Sequence, residues 1–199
     1  MQESTPQFTK SEAFLPTRYG NFTVTVYHDE NGQDHMVLSK NLDIAKAVLV
    51  RIHSSCETGD VFGSLRCDCG PQLDHAMKLI QENDSGVFVY LNQEGRGIGL
   101  FNKIKTYALQ DEGLDTVEAN EKLGFPADLR DYHLAAAILT DLGITQIKLI
   151  TNNPDKEKQL AQYEIDILER IPLEIEPNKY NKKYLETKKQ KLHHKLTLV

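Results

Sequence analysis

All three cysteines of the chain fall between Cys56 and Cys69, spaced as C-x10-C-x-C among Gly59, Asp60, Asp68 and Gly70. The neighbours fix both ends of this stretch. Ala47–Ile52 is an apolar, β-branched run of the kind that forms a buried strand, and it leads through His53, Ser54 and Ser55 directly into Cys56. Pro71 follows Cys69 and suits the first turn of a helix, with Leu73, Ala76, Met77 and Ile80 on one face. The thiols therefore occupy a strand-to-helix connection. Three uses of such a cluster stay open: a metal site, buried inert thiols, or a redox pair. Zinc takes thiolate and imidazole ligands, four in a structural site and three in a catalytic one. His53 and His75 are near enough in sequence to supply a fourth. If both stay out, the site is open and can activate water. Three thiolates also leave a divalent ion with net negative charge, and Arg66, between the ligands, is a candidate compensating cation.

At 199 residues the chain fits one domain, residues 1–199. A net charge of −6 argues against a general nucleic-acid or acidic-membrane binder, while leaving room for a local basic pocket around a small polyphosphate. No apolar run approaches the ~20 residues of a membrane span. Residues 1–7 lack the basic-then-apolar pattern of an export signal. An odd number of cysteines without such a signal points to the reducing cytoplasm.

Residues 1–15 read as a loose lead-in. Phe22–His28 alternates with the period of a strand, Asp29–Gln33 is a turn, and Asp34–Leu38 returns, which makes the N-terminal segment hairpin-like. Val87–Leu91 is a second short buried strand, followed by helices over about 100–110 and 115–123. A helix over 131–142, with Asp131 as N-cap and Gly143 as its stop, precedes a strand at 147–150. Pro154 opens another helix, 165–175 holds one or two short strands, and about 180–199 is a lysine-rich, amphipathic or frayed tail. Strands alternating with helices predict an α/β fold: a mixed β-sheet flanked by helices.

Two loops look capable of holding an anion. Gln93–Gly99 joins a strand to a helix with Gly at alternate positions, although a simple tight turn fits as well. Within it Glu94 and Arg96 could hold a base edge and a phosphate, or form a surface ion pair. Thr151–Lys156 lies past the carboxyl end of a strand, where α/β sheets bind ligands, and also suits a helix-capping turn. On residue type alone, Asp128 with Arg130 is a solvated pair, Tyr107 a core tyrosine, and His193–His194 a solvated pair of histidines.

Taken jointly, the segments Arg51–Asp60, Ser64–Gly70, Gln93–Leu100, Asn102–Gln110, Asp115–Asn120 and Leu149–Pro154 resemble GTP cyclohydrolase II, in order and over about 15–190. The resemblance implies the first step of riboflavin biosynthesis: hydrolysis of GTP to 2,5-diamino-6-hydroxy-4-(5-phosphoribosylamino)pyrimidine, formate and pyrophosphate. By the same resemblance Cys56, Cys67 and Cys69 hold one zinc per subunit, which activates water for attack on C8 of guanine. Arg130 is the family's proposed nucleophile at the α-phosphorus, Asp128 its activating base, and Tyr107 assists the ring chemistry. GTP contacts map to Arg51, Ile52, His53, Ser54, Ser55, Gln72, Glu94, Gly95, Arg96, Thr116, Thr151 and Lys156. Mg2+ accompanies the triphosphate, and the subunits form a homodimer. The absence of a companion domain for dihydroxybutanone phosphate synthesis implies the stand-alone form.

A guanidinium is a donor with a pKa above ~12, so an electrostatic clamp on the α-phosphate is the chemical alternative for Arg130. The chain departs from the family where Ser55 replaces a usual Glu, where Glu57 replaces an apolar residue, and where Asp155 replaces a common Lys; these changes bear on substrate affinity. Competing readings are a zinc-stabilised guanine-nucleotide binder without turnover, a variant that retains the formyl group, and a thiol redox protein.

Overall fold

The computed structural model describes residues 7–199; residues 1–6, part of the expected loose lead-in, lie outside the described residues. Seven strands form one sheet: β1 (Phe8–Thr17), β2 (Gly20–Asp29), β3 (Asp34–Lys40), β4 (Val48–Ser54), β5 (Gly86–Leu91), β6 (Gln146–Ile150) and β7 (Asp166–Ile171), in the order β1-β2-β3-β5-β4-β6-β7. The β1 to β5 half is antiparallel, and β5, β4, β6 and β7 run parallel. The antiparallel strands β1 to β3 need only short turns between them, whereas parallel neighbours need a crossover. Those crossovers carry the helices: α1 (Glu57–Asp60) and α2 (Cys69–Glu82) from β4 to β5; α3 (Gly99–Asp111), α4 (Thr116–Lys122) and α5 (His133–Asp141) from β5 to β6; α6 (Pro154–Leu160) from β6 to β7. A last helix, α7 (Lys182–Lys191), follows the sheet. This is the α/β mixed sheet that the alternation predicts.

Both faces of the central strands are covered. Val48, Val50 and Ile52 of β4 pack with Ala135, Ile138 and Leu139 of α5 on one side. Leu49 of β4 packs with Ala76, Met77 and Ile80 of α2 on the other. Strand residues two apart share a face, so Arg51 and His53 continue the row that starts at Leu49. They emerge at the carboxyl end of β4, beyond the apolar part of that layer. Among the described residues no helix is long and apolar enough to cross a membrane.

Four expectations are corrected. Residues 8–15 are strand rather than loose chain, because β1 is an edge strand that buries little and so shows no apolar alternation. Helix α2 opens at Cys69, which leaves Pro71 in its first turn, where its missing N–H costs nothing. Helix α5 has Tyr132 at its N-cap, and the Asp131 carboxylate instead accepts from the His133 N–H at 3.0 Å. Of the two readings of the lysine-rich segment after residue 180, frayed is replaced over Lys182–Lys191 by a helix, with Leu185, Thr187 and Lys188 buried.

Leu139 is completely buried, whereas Leu168 is largely exposed. In urea denaturation Leu139→Ala is expected to cost about 2–5 kcal/mol. Leu168→Ala should stay within about 0.5 kcal/mol of the parent.

Candidate active site

Cys56 caps the single turn α1, and the Asp60 carboxylate at the end of that turn organises it. Asp60 accepts from the Cys56 N–H and the Tyr90 hydroxyl, both at 2.9 Å, and from His53 Nε2 at 3.1 Å. Cys67 lies in the bend just before α2 and Cys69 opens that helix, and the three sulfur atoms lie within 4.8 Å of one another. Gly59 makes this convergence possible: a Cβ there would stand 2.8 Å from the Cys67 sulfur and 3.1 Å from the Cys56 sulfur. No other group of metal-ligating side chains includes these sulfurs among the described residues. His53 is turned to Asp60 and His75 is exposed on α2, so neither expected fourth ligand joins the cluster. Three converging soft thiols fit Zn2+, leaving any further coordination position to a non-protein ligand.

The compensating cation is Lys103 of α3, not Arg66. The buried Lys103 Nζ donates to Cys56 Sγ at 3.1 Å and to Glu94 Oε1 at 2.7 Å. Burial alone pushes its pKa down, but the hydrogen bond to Glu94 and the Cys56 sulfur together hold it above the ordinary lysine value. Hydrogen bonds from the Cys67 and Cys69 thiols, with help from Lys103, push Cys56 far below an ordinary thiol. Arg66 instead stacks on the Tyr107 ring, with 4.8 Å from guanidinium carbon to ring centroid, and pairs with Asp111.

Beside the cysteines, the pocket is strongly basic. Arg51 donates to the Ile150 carbonyl at 3.0 Å and to Gln72 Oε1 at 2.5 Å, while its buried Nε has no hydrogen-bond partner. Arg96 reaches Thr116 Oγ1 at 3.3 Å, faces the Tyr184 ring, and leaves its buried Nη2 without a partner. The Lys156 ammonium donates to the Ile52 carbonyl at 2.6 Å and faces the Tyr132 ring. Burial, then the charges of Arg51, Arg130 and Lys188, push Lys156 well below the ordinary lysine range. Among the described residues Arg51, Arg96 and Lys156 meet no carboxylate, whereas Lys188 meets Asp68 at 3.1 Å, and Arg130 meets Asp128 through three contacts of 2.5–3.2 Å. That second pair is not solvated, since both side chains are largely covered. Although burial opposes it, the neighbouring Tyr132 and the bond to Asp128 hold the Arg130 guanidinium firmly charged.

The turn carrying Arg96 is built for close approach. Gly95 and Arg96 both adopt left-handed conformations, with φ of 64° and 61°. Such a conformation is easy for glycine and costs a bulky residue about 1–3 kcal/mol. It aims the Arg96 side chain across the pocket at Thr116.

A single pocket gathers Arg51, His53, Ser54, Ser55, the three cysteines, Gln72, Glu94, Gly95, Arg96, Tyr107, Thr116, Arg130, Thr151 and Lys156. Two expected site residues stand outside its lining. The Ile52 side chain is core, and only its carbonyl turns toward Lys156; Asp128 lies behind Arg130. Tyr107 lines the pocket rather than the core, and its hydroxyl is 3.3 Å from Thr58 Oγ1. Of the three positions expected to depart from the family pattern, Ser55 lines the pocket and its Oγ accepts from Gln93 N–H at 3.1 Å, whereas Glu57 and Asp155 are exposed. Residue patterns missed Lys103, Asp68, Tyr184, Lys188 and His194, all of which line the pocket. Asp68 carried one signal, its place between two cysteines. His194, read as solvated, is half-buried.

A model of the GTP cyclohydrolase II family matches residues 8–172. The riboflavin biosynthesis protein RibBA of Chlorobium phaeovibrioides is 55% identical over 188 residues, covering 94% of this chain and 46% of its own length. RibBA of Bacillus cytotoxicus is 54% identical over 189 residues, covering 94% of this chain and 48% of its own. The chain thus spans about half the length of the curated relatives it matches. A solved two-domain 3,4-dihydroxy-2-butanone 4-phosphate synthase, RibBX of A. baumannii, is similar at a TM-score of 0.41 and 21% identity, over 75% of this chain and 35% of that one.

Loss of the cation beside Cys56 should loosen any metal held there. In a competition titration with a chromophoric chelator, Lys103→Met is expected to weaken Zn2+ binding about 10–100-fold, the usual cost of losing an outer partner of a ligand. Unchanged zinc affinity would mean that Lys103 serves only Glu94.

Proposed function

The chain belongs to the GTP cyclohydrolase II family, and from that premise we propose that it hydrolyses GTP to 2,5-diamino-6-hydroxy-4-(5-phosphoribosylamino)pyrimidine, formate and pyrophosphate in riboflavin biosynthesis. One observation carries the reading: a three-thiol cluster and a set of buried basic side chains share a single pocket. A purine carrying a triphosphate is a ligand that uses both halves.

Arg96, Arg130 and Lys156 bind the phosphates. Arg51 and Lys156 are held in place by the carbonyls at the ends of β6 and β4, so little reorganisation is needed when an anion arrives. Arg130 donates to the α-phosphate as charge builds there, and Asp128 aims the guanidinium and keeps it protonated. Proton loss from Arg130, which a nucleophilic role requires, is opposed by the same ion pair. The clamp is therefore the reading the geometry supports better.

Cys56, Cys67 and Cys69 would hold Zn2+, which supplies the Lewis-acid chemistry for hydrolytic opening of the imidazole ring. Lys103 offsets the charge of the thiolates and fixes the Glu94 carboxylate, which also accepts from the N–H groups of Gly95 and Glu57 at 2.6 Å. The Tyr107 hydroxyl, held near Thr58, stands beside the cysteines as a donor to the ring. His53 donates through Nε2 to Asp60, leaving its buried Nδ1 without a partner. Mg2+ accompanies the triphosphate, as is general for such ligands. A homodimer belongs to the same reading; exposed Phe101 and Ile104, one turn apart on α3, support a contact surface there. The reduced thiols suit the cytoplasm.

The test is mass analysis of the products after incubating the zinc-loaded chain with GTP. Expected are the deformylated pyrimidine, formate and pyrophosphate, all lost on chelation, with no phosphoryl group trapped on Arg130 in a single turnover. A product that keeps its formyl carbon would overturn the product assignment. Zinc-loaded protein that binds GTP without turnover would reduce the chain to a binding module.

A further inference from the structure

The C-terminal segment, read from sequence as an amphipathic or frayed tail, is pinned to both halves of the pocket. On the cysteine side, the Asn178 and Asn181 amides donate to the carbonyls of Leu65 and Cys67 at 3.3 and 3.4 Å. Lys188 reaches both oxygens of Asp68, at 3.1 and 3.3 Å, between two of the cysteines. On the phosphate side, the Lys195 N–H donates to the Asn152 carbonyl at 2.9 Å, in the loop after β6, and Leu196 is buried. His194 lies between these anchors. Past the end of α7, His193 turns through a left-handed φ of 55°, and the His194 N–H folds back to the Lys188 carbonyl at 3.0 Å. This backbone holds the His194 imidazole in the pocket wall.

Among the described residues nothing hydrogen-bonds to that imidazole side chain. It lines the pocket together with Lys188 of α7, Arg130 ahead of α5, Lys156 of α6 and Arg96 of the glycine turn. The adjacent carboxylates, Asp68 and Asp128, are already engaged by Lys188 and Arg130. Each of these basic side chains offers N–H donors to the pocket. A molecule that satisfies all of them together with the imidazole must offer several acceptor oxygens and negative charge.

On the reading that this pocket takes GTP, we propose that His194 is a substrate-binding residue whose ring N–H donates to a phosphate oxygen shared with Arg130, Lys156 and Arg96. The C-terminal segment then closes the polyphosphate end of the pocket and supports selection for the triphosphate. Burial and the four cations keep the imidazole neutral in the free protein, with its pKa far below the usual histidine range. Phosphate oxygens entering the pocket offset those cations. The imidazole can then take up a proton and strengthen its hydrogen bond.

Calorimetric titration of the zinc-loaded full chain with a non-hydrolysable GTP analogue and, separately, with guanosine tests this. Histidine 194 is replaced in two variants, His194→Ala and His194→Gln, with melting temperature and zinc content followed in both. His194→Ala is expected to weaken the analogue about ten-fold, as for loss of one charge-assisted hydrogen bond, and to leave guanosine binding unchanged. His194→Gln, which keeps a donor, should recover part of the loss, and it carries the comparison if the alanine variant melts early. Unchanged analogue affinity in both variants, or an equal loss for guanosine, would overturn the role of His194. Failure of the unsubstituted chain to bind the analogue would remove the GTP reading itself, and the role of His194 with it.

Discussion

Buried basic side chains that no carboxylate among the described residues pairs with are the constraint on which this molecule turns. Arg51 and Lys156 are almost completely covered, yet their hydrogen bonds go to carbonyl oxygens and an amide. Removing a cation from water without an ionic partner costs several kcal/mol. A fold that holds several such groups side by side keeps a destabilised site ready for an anion. The sheet makes this possible, because β4, β5 and β6 run parallel and end at one edge. Loops leaving those ends converge, and ligands of α/β sheets bind at such edges.

The thiol cluster and the basic half are coupled by a continuous chain of contacts. Lys188 meets Asp68, Asp68 accepts from the Gln72 amide at 2.5 Å, and Gln72 accepts from Arg51 at 2.5 Å. Asp68 lies between two of the sulfurs, so the position of the cysteine turn is linked to that of the guanidinium at the end of β4. Lys103 makes the second link, from Cys56 to Glu94 and through Glu94 to the glycine turn that carries Arg96. Ser55 joins the same frame through Gln93 rather than through a charge.

How much of this was legible depended on what each segment buries. The β2–β3 hairpin, the apolar strands β4 and β5, and α2 with its apolar face bury hydrocarbon, and their periodicity displays it. β1 buries little and α7 buries Thr187 and Lys188 along with Leu185, so neither shows a pattern that separates it from loose chain. The cysteine spacing disclosed a metal-ligand cluster, but proximity in sequence misled twice nearby. His53 turns toward Asp60, and Arg66 lies on Tyr107. Lys103 is in contact with a cysteine forty-seven positions away, a relation that no local pattern contains. The Asp128–Arg130 pair has the spacing of a surface ion pair, and only the fold covers it.

A crystal structure of the zinc-loaded chain with a non-hydrolysable GTP analogue tests the central claim most directly, that the thiol cluster and the unneutralised cations form one substrate site. The account predicts the guanine ring beside Cys56, Cys67 and Cys69, with the phosphates among Arg96, Arg130 and Lys156. Phosphates bound elsewhere, with those side chains still turned to their carbonyl and ring partners, would contradict it.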